Sequence, residues 1–217
     1  MKIAPKIAPF FLALGLFVQT TAFATQPLLE VVDFEYKGKQ CQQLNHEEEP
    51  FIVENGDEQS LEIPFGTSFD AFTDEHNDRV RNRCKVHITL KVPEGYQVAP
   101  DYVTYLGSAD ISPEGRGTVT ARYRLAGKSS PTAVQTFDGG FIGGFEVESP
   151  HATNLQYSQC GGEVELIADS DIVVRRSQAE AGIANSEILV DDAIGKQVLT
   201  CGLHLEECHH SEPAPIE

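Results

Sequence analysis

From Cys84 to Val92 the chain reads CKVHITLKV, and every second residue is apolar: Cys84, Val86, Ile88, Leu90 and Val92 alternate with Lys85, His87, Thr89 and Lys91. A period of two is that of a strand with one face buried. The alternation returns in GTVTARYRLAG, where Val119, Ala121, Tyr123 and Leu125 oppose Thr118, Thr120, Arg122 and Arg124. In GGEVELIAD it places Val164, Leu166 and Ala168 inward. Further strands are expected at LLEVVDFEY, SLEIPF, YQVAPDYVTYLG, TAVQTFDG, DIVVRR, SEILVDD and KQVLTCGLHL. Turn clusters separate them at Pro93-Glu94-Gly95, Ser112-Pro113-Glu114-Gly115, Lys128-Ser129-Ser130-Pro131 and Asp138-Gly139-Gly140. SQAEAGIAN, with Ser177 and Glu180 at capping-box spacing, is the one helical segment and is too short to carry an architecture. The pattern predicts an all-β chain: an antiparallel β-sandwich, immunoglobulin-like or jelly-roll-like, stapled by disulfides. With no repeat or linker visible, residues 25–208 read as a single domain and 209–217 as a loose tail.

The first residues change the compartment. Lys2 and Lys6 precede an apolar run from Ile7 to Val18, and small residues follow up to Ala22-Phe23-Ala24. That is the layout of a secretory signal peptide over residues 1–24, with an apolar run too short to cross a hydrocarbon core. A secreted or periplasmic protein is expected, with no membrane insertion, because nothing downstream is apolar enough to span a bilayer. The five cysteines would then enter an oxidising compartment and mostly pair, leaving one over. The absence of a CxxC argues against a thioredoxin-type centre and a zinc ribbon.

Charge narrows the partners. The 217 residues hold 16 Lys and Arg against 33 Asp and Glu, a formal net charge of −17, and loss of the leader removes lysines only. Such a surface repels phosphate backbones and anionic lipid, so no nucleic acid or membrane partner is expected, and a cationic ligand, metal ion or basic protein patch fits the overall charge better. An acidic surface also serves plain solubility.

Several motifs fall in a familiar order: FDAF (Phe69 to Phe72), RNRCKV (Arg81 to Val86), VPEGYQVAPDYVTYLG (Val92 to Gly107), FDGGFIGGF (Phe137 to Phe145), SQCGGEVELI (Ser158 to Ile167) and LHLEEC (Leu203 to Cys208). Together they resemble a family of small exported proteins known as domain of unknown function 4360. The resemblance implies a secreted, disulfide-bearing, β-rich domain and brings no activity with it. It also implies four paired cysteines, at Cys41, Cys84, Cys160 and Cys208, and makes Cys201 the extra one. Three pairings are open to those four. Cys41 with Cys84 and Cys160 with Cys208 is the pairing expected here, only because the latter two lie near strand ends late in the chain. Gln159 stands where the family commonly has proline, and His204 where its last strand often has tryptophan, so no role tied to that aromatic carries over.

Three clusters are candidates for chemistry. CGLHLEECHH, from Cys201 to His210, has metal-ligand residue types. In a strand, however, Cys201 and Cys208 lie about 23 Å apart and His204 about 13 Å from Cys208, too far to share a zinc ion or a disulfide. RVRNRCK places Arg79, Arg81, Arg83 and Lys85 on the face opposite the apolar set, as an anion or partner contact, or as cross-strand partners of acids such as Glu163 or Glu165. The acid clusters HEEEP (His46 to Pro50), DEHND (Asp74 to Asp78), DSD (Asp169 to Asp171) and Asp191-Asp192 read as solvated loops. Calcium is the one cofactor they would suit, and none of them completes a calcium loop. The glycines of DGGFIGGF read as a hairpin between aromatic strand ends and cradle no phosphate.

GxSxG, HExxH, P-loop and dinucleotide motifs are absent. The expected function is a non-catalytic binding or envelope-associated module for a glycan or protein. The alternative is a secreted hydrolase with a carboxylate pair or a calcium-supported cleft.

Overall fold

The computed structural model describes residues 28–38, 41, 49–56, 58–65, 69–74, 76–176, 186–189 and 198–208. The expected leader, the SQAEAGIAN segment, Asp191-Asp192 and the tail lie outside the described residues.

Every regular element described is a strand: β1 Glu30–Lys37, β2 Phe51–Asn55, β3 Glu58–Pro64, β4 Asp70–Phe72, β5 Arg79–Val92, β6 Tyr96–Asp110, β7 Arg116–Leu125, β8 Lys128–Ser129, β9 Ala133–Asp138, β10 Ile142–Glu148, β11 Gly162–Arg175, β12 Glu187–Leu189 and β13 Val198–Glu207. They form two antiparallel sheets facing one core. The first runs β1-β5-β11-β7-β8, with β9 also paired to β7; the second runs β2-β3-β13-β6-β12-β4, with β10 also paired to β6. Among the described residues no helix is long and apolar enough to cross a membrane.

The alternating segments bury the residues their period selects. Val86, Ile88 and Leu90 of β5, Val119, Ala121, Tyr123 and Leu125 of β7, and Leu166, Ala168 and Ile172 of β11 are all buried in one cluster. Three buried tyrosines reach across that core. Tyr36 of β1 donates to the Pro64 carbonyl in β3 at 2.6 Å. Tyr123 of β7 donates to the Gly202 carbonyl in β13. The Tyr105 hydroxyl, from β6, accepts from Ser170 Oγ of β11 at 2.6 Å. A buried hydroxyl left without a partner is costly, so each contact ties the relative position of the two sheets to a satisfied polar group. Burial holds the Tyr105 and Tyr123 hydroxyls far above their ordinary pKa, so both stay protonated, as Tyr123 must be to donate.

Three sequence expectations are corrected. GGEVELIAD and DIVVRR are one continuous strand, β11, in register with β5 over its whole length. Asp169 to Asp171 therefore lie mid-strand and form no solvated loop. The FDGGFIGGF segment is no hairpin: β9 pairs with β7 and β10 with β6, so the chain turns a corner from one sheet to the other. Ile111 holds that corner through its own N–H to Phe141 and its carbonyl from Gly140. Gly139 is required there, because a Cβ would stand 1.8 Å from the Pro113 carbonyl oxygen. The short strands β2, β4, β8 and β10 carry too little alternation to read from sequence.

The disulfides join Cys41 to Cys84 and Cys160 to Cys208, with Cα separations of 5.7 and 6.0 Å. Cys201 is a buried free thiol on the inward face of β13. The bridges close loops of 43 and 48 residues. In the chain-entropy account each contributes about 4 kcal/mol, so urea melts of C160S/C208S are expected to show a loss of that order. Tyr105→Phe strands the Ser170 hydroxyl and is expected to cost about 1–3 kcal/mol, whereas Y105F/S170A costs less than the two single losses added together.

Candidate functional site

In β5, β7 and β11 the outward positions collect charge. These strands hold nine Lys and Arg residues, Arg79, Arg81, Arg83, Lys85, Lys91, Arg116, Arg122, Arg124 and Arg175, against four acids, Glu163, Glu165, Asp169 and Asp171. All thirteen stand on the face away from the core. A strongly acidic chain has thus gathered more than half of its 16 basic residues on one sheet surface.

Part of the basic set is neutralised locally. Arg81 grips Asp171 through Nε, at 2.9 and 3.1 Å from its two oxygens, and through a terminal nitrogen. Arg83 grips Asp169 in the same two-pronged way, with Nε to Oδ1 at 2.7 Å, and Arg122 adds a contact to Asp169 Oδ2 at 3.2 Å. His87 meets Glu165 at 3.1 Å and Lys91 meets Glu30 at 3.4 Å. The cross-strand partners of Arg81 and Arg83 are therefore Asp171 and Asp169, where sequence pointed to Glu163 or Glu165. Burial opposes ionisation of Asp169, but the hydrogen bonds from Arg83 and Arg122 outweigh it and hold its carboxyl below the ordinary range.

The remainder is not neutralised. Arg175 is the register partner of Arg79 on one side and of Arg116 on the other, so three arginines stand in one row across three strands. Like charges directly opposite each other destabilise a sheet. Arg116 has Asp138 at 3.6 Å, on the outer edge of the row. Among the described residues Arg79 and Arg175 make no ion pair, and neither do Lys85 and Arg124.

Two recesses open on this face. One of ≈ 320 Å³ is walled by Arg79, Arg81, Arg116 and Arg175 over Thr118 and Val173. The other, ≈ 400 Å³, brings Lys85 and Arg124 together with the Arg83–Asp169–Arg122 cluster, Ser129 and Thr132. Of the residues singled out in sequence, Arg79 and Arg81 thus line the first recess and Arg83 and Lys85 the second. Arg116, Arg122, Arg124 and Arg175 were missed, although the RYR of β7 carried the same alternation.

The other candidate clusters come apart. Cys201 points into the core, while His204 lies on the opposite face of β13, with its Nδ1 3.0 Å from the Tyr157 hydroxyl. His209 and His210 lie outside the described residues. Asp74 accepts from the backbone N–H groups of His76 and Asn77, both at 2.8 Å, and so closes its own turn. Asp169 and Asp171 are occupied by arginines. No group of three or more metal-ligating side chains is gathered among the described residues.

The fold and this surface define an all-β, disulfide-stapled antiparallel sandwich with a basic outer face. The chain belongs to the family described as domain of unknown function DUF4360, which matches residues 29–208. Among solved structures it is similar to that of TmCBM61 in complex with beta-1,4-galactotriose, at 8% identity over 81% of this chain and 89% of that chain, with a TM-score of 0.26. No curated protein matches it.

Asp169 supplies the pH test. Its folded pKa is lowered, so its contribution is complete above the unfolded value of about 3.9 and is lost as pH falls through the folded value. Asp169→Asn is expected to cost about 1–2 kcal/mol at pH 7, with the gap from wild type narrowing as pH falls below the unfolded value in chemical melts.

Proposed function

We propose that this protein is a secreted, non-catalytic binding module that takes an anionic ligand on the outer face of its first sheet. The observation that carries the reading is the Arg79–Arg175–Arg116 row, a like-charge arrangement on a chain of net charge −17. A bound oxyanion offsets the repulsion within the row, and guanidinium groups match carboxylate, sulfate and phosphate geometry in pairs. Export is supported by the two disulfides and by the signal-like stretch over residues 1–24.

A hydrolase reading needs one acid of a pair sheltered from water. Glu163 and Glu165, which share a third recess beside Tyr157, are both exposed, and this favours binding over cleavage.

The test is affinity electrophoresis of the purified protein through gels carrying dextran sulfate, polygalacturonate or uncharged dextran. Bulk charge pushes this protein away from a polyanion, so retardation reports the local face. Retardation is expected in the two anionic gels alone, weakening as salt rises from about 0.05 to 0.5 M, and relieved by R79Q/R175Q. Equal mobility in all three gels would overturn the reading.

A further inference from the structure

Resting on that reading, we infer that the two recesses form one extended site for a linear acidic polysaccharide lying along the strands, with a charged sugar at each end and neutral sugars between. Both recesses are on one face and follow the same strand direction. Arg175 borders the first and Asp169 the second, six residues apart on β11, which is about 20 Å at 3.3 Å per residue.

The surface the two recesses span together is not uniformly basic. The outward side chains of β7 run Arg116, Thr118, Thr120, Arg122, Arg124, so two hydroxyls separate the basic ends. In the same interval β5 and β11 present Arg81, Arg83 and Asp171, and those arginines are committed to Asp171 and Asp169. The uncommitted cations sit at the two ends, Arg79 and Arg175 at one and Lys85 and Arg124 at the other. A ligand with a charge on every unit wastes its central charges on this layout and meets the repulsion of an acidic protein. A polymer whose carboxylates or sulfates are spaced by neutral, hydroxyl-bearing units fits it, with threonine hydroxyls facing sugar hydroxyls.

The face also discriminates against protein partners. Protein interfaces are anchored by arginine together with buried aromatic side chains that fill pockets. The outward positions of β5, β7 and β11 include no aromatic ring other than His87, and the one aromatic residue that lines a recess, Tyr123, is buried and committed to the Gly202 carbonyl, so neither recess offers an aromatic anchor.

The experiment is calorimetric titration of the purified protein with hyaluronan oligomers, in which a uronate alternates with a neutral sugar, from disaccharide to decasaccharide. Beside them run galacturonate oligomers of matched length, whose tighter binding would overturn the spaced-charge fit. Sulfated oligosaccharides of matched length and poly-glutamate form the other arms. The two variants are R79Q/R175Q and K85Q/R124Q, which remove only side chains without an ion partner; the first also relieves the repulsion in its row and is expected to hold or raise the melting midpoint, and the second to leave it in place. Affinity is expected to climb with length until an oligomer spans both recesses, and each variant to lower the affinity of the long oligomers about tenfold. Carboxylated or sulfated arms behaving this way identify which oxyanion the site takes. Affinity independent of length, or loss in one variant alone, overturns the extended site and leaves the anion-binding reading intact. Tighter binding of poly-glutamate than of any oligosaccharide overturns it in favour of an acidic protein segment. No binding in any arm overturns both.

Discussion

Two sheets that share one core must be held at a set offset, and in this protein three tyrosine hydroxyls hold it. Tyr36 and Tyr123 reach from the first sheet to carbonyls of the second, and Ser170 reaches from the first to Tyr105 of the second. Each contact is buried, so slipping the sheets by one residue would strand polar groups away from water as well as misplacing apolar ones. The contact at Gly202 adds a second constraint. The register of β13 against β6 shifts between Cys201 and Leu203, and the Tyr102 ring lies over Gly202, where a Cβ would come within 2.2 Å of it. Gly202 thus lets the strand bulge, presents its carbonyl inward to Tyr123 and accepts an aromatic ring outside.

The same geometry produces the charged surface. Once β5 and β11 pair over fourteen residues and β7 pairs on the other side of β11, alternation leaves no freedom in where the odd residues of β5 and β11 go. They share one face with the even residues of β7. Asp169 and Asp171 fall among arginines and neutralise the middle of that face, and Arg175 falls between two more arginines and neutralises nothing. Charge largely compensated at the centre, with two aspartates among three arginines, and uncompensated at both ends is therefore a consequence of register.

Much of this was legible along the chain. The segments around Val86, Val119 and Val164 announced half-buried strands because a period of two has no other simple explanation, and the outward placement of Arg79, Arg81, Arg83 and Lys85 followed from the same count. Asp169-Ser170-Asp171 was misread because three polar residues in succession look like a loop. Their meaning depends on strands distant in sequence: Ser170 has a tyrosine from the opposite sheet, and the flanking aspartates have arginines from β5 and β7. The corner at Gly139 and Gly140 was misread for a related reason, since two glycines between aromatic strand ends signal a reversal without saying which sheet receives the next strand.

Alternation, cysteine number and charge balance are properties of neighbouring residues or of simple counts, so the sequence alone determined a layered antiparallel protein, disulfide-rich and acidic overall. Which arginines find carboxylates and which are left facing one another depends on strand register, and register joins residues far apart along the chain, 47 positions for Arg122 with Asp169 and 90 for Arg81 with Asp171. That information exists only once Arg175 is set between Arg79 and Arg116, because repulsion and attraction between side chains act through distance in space and not through order along the chain.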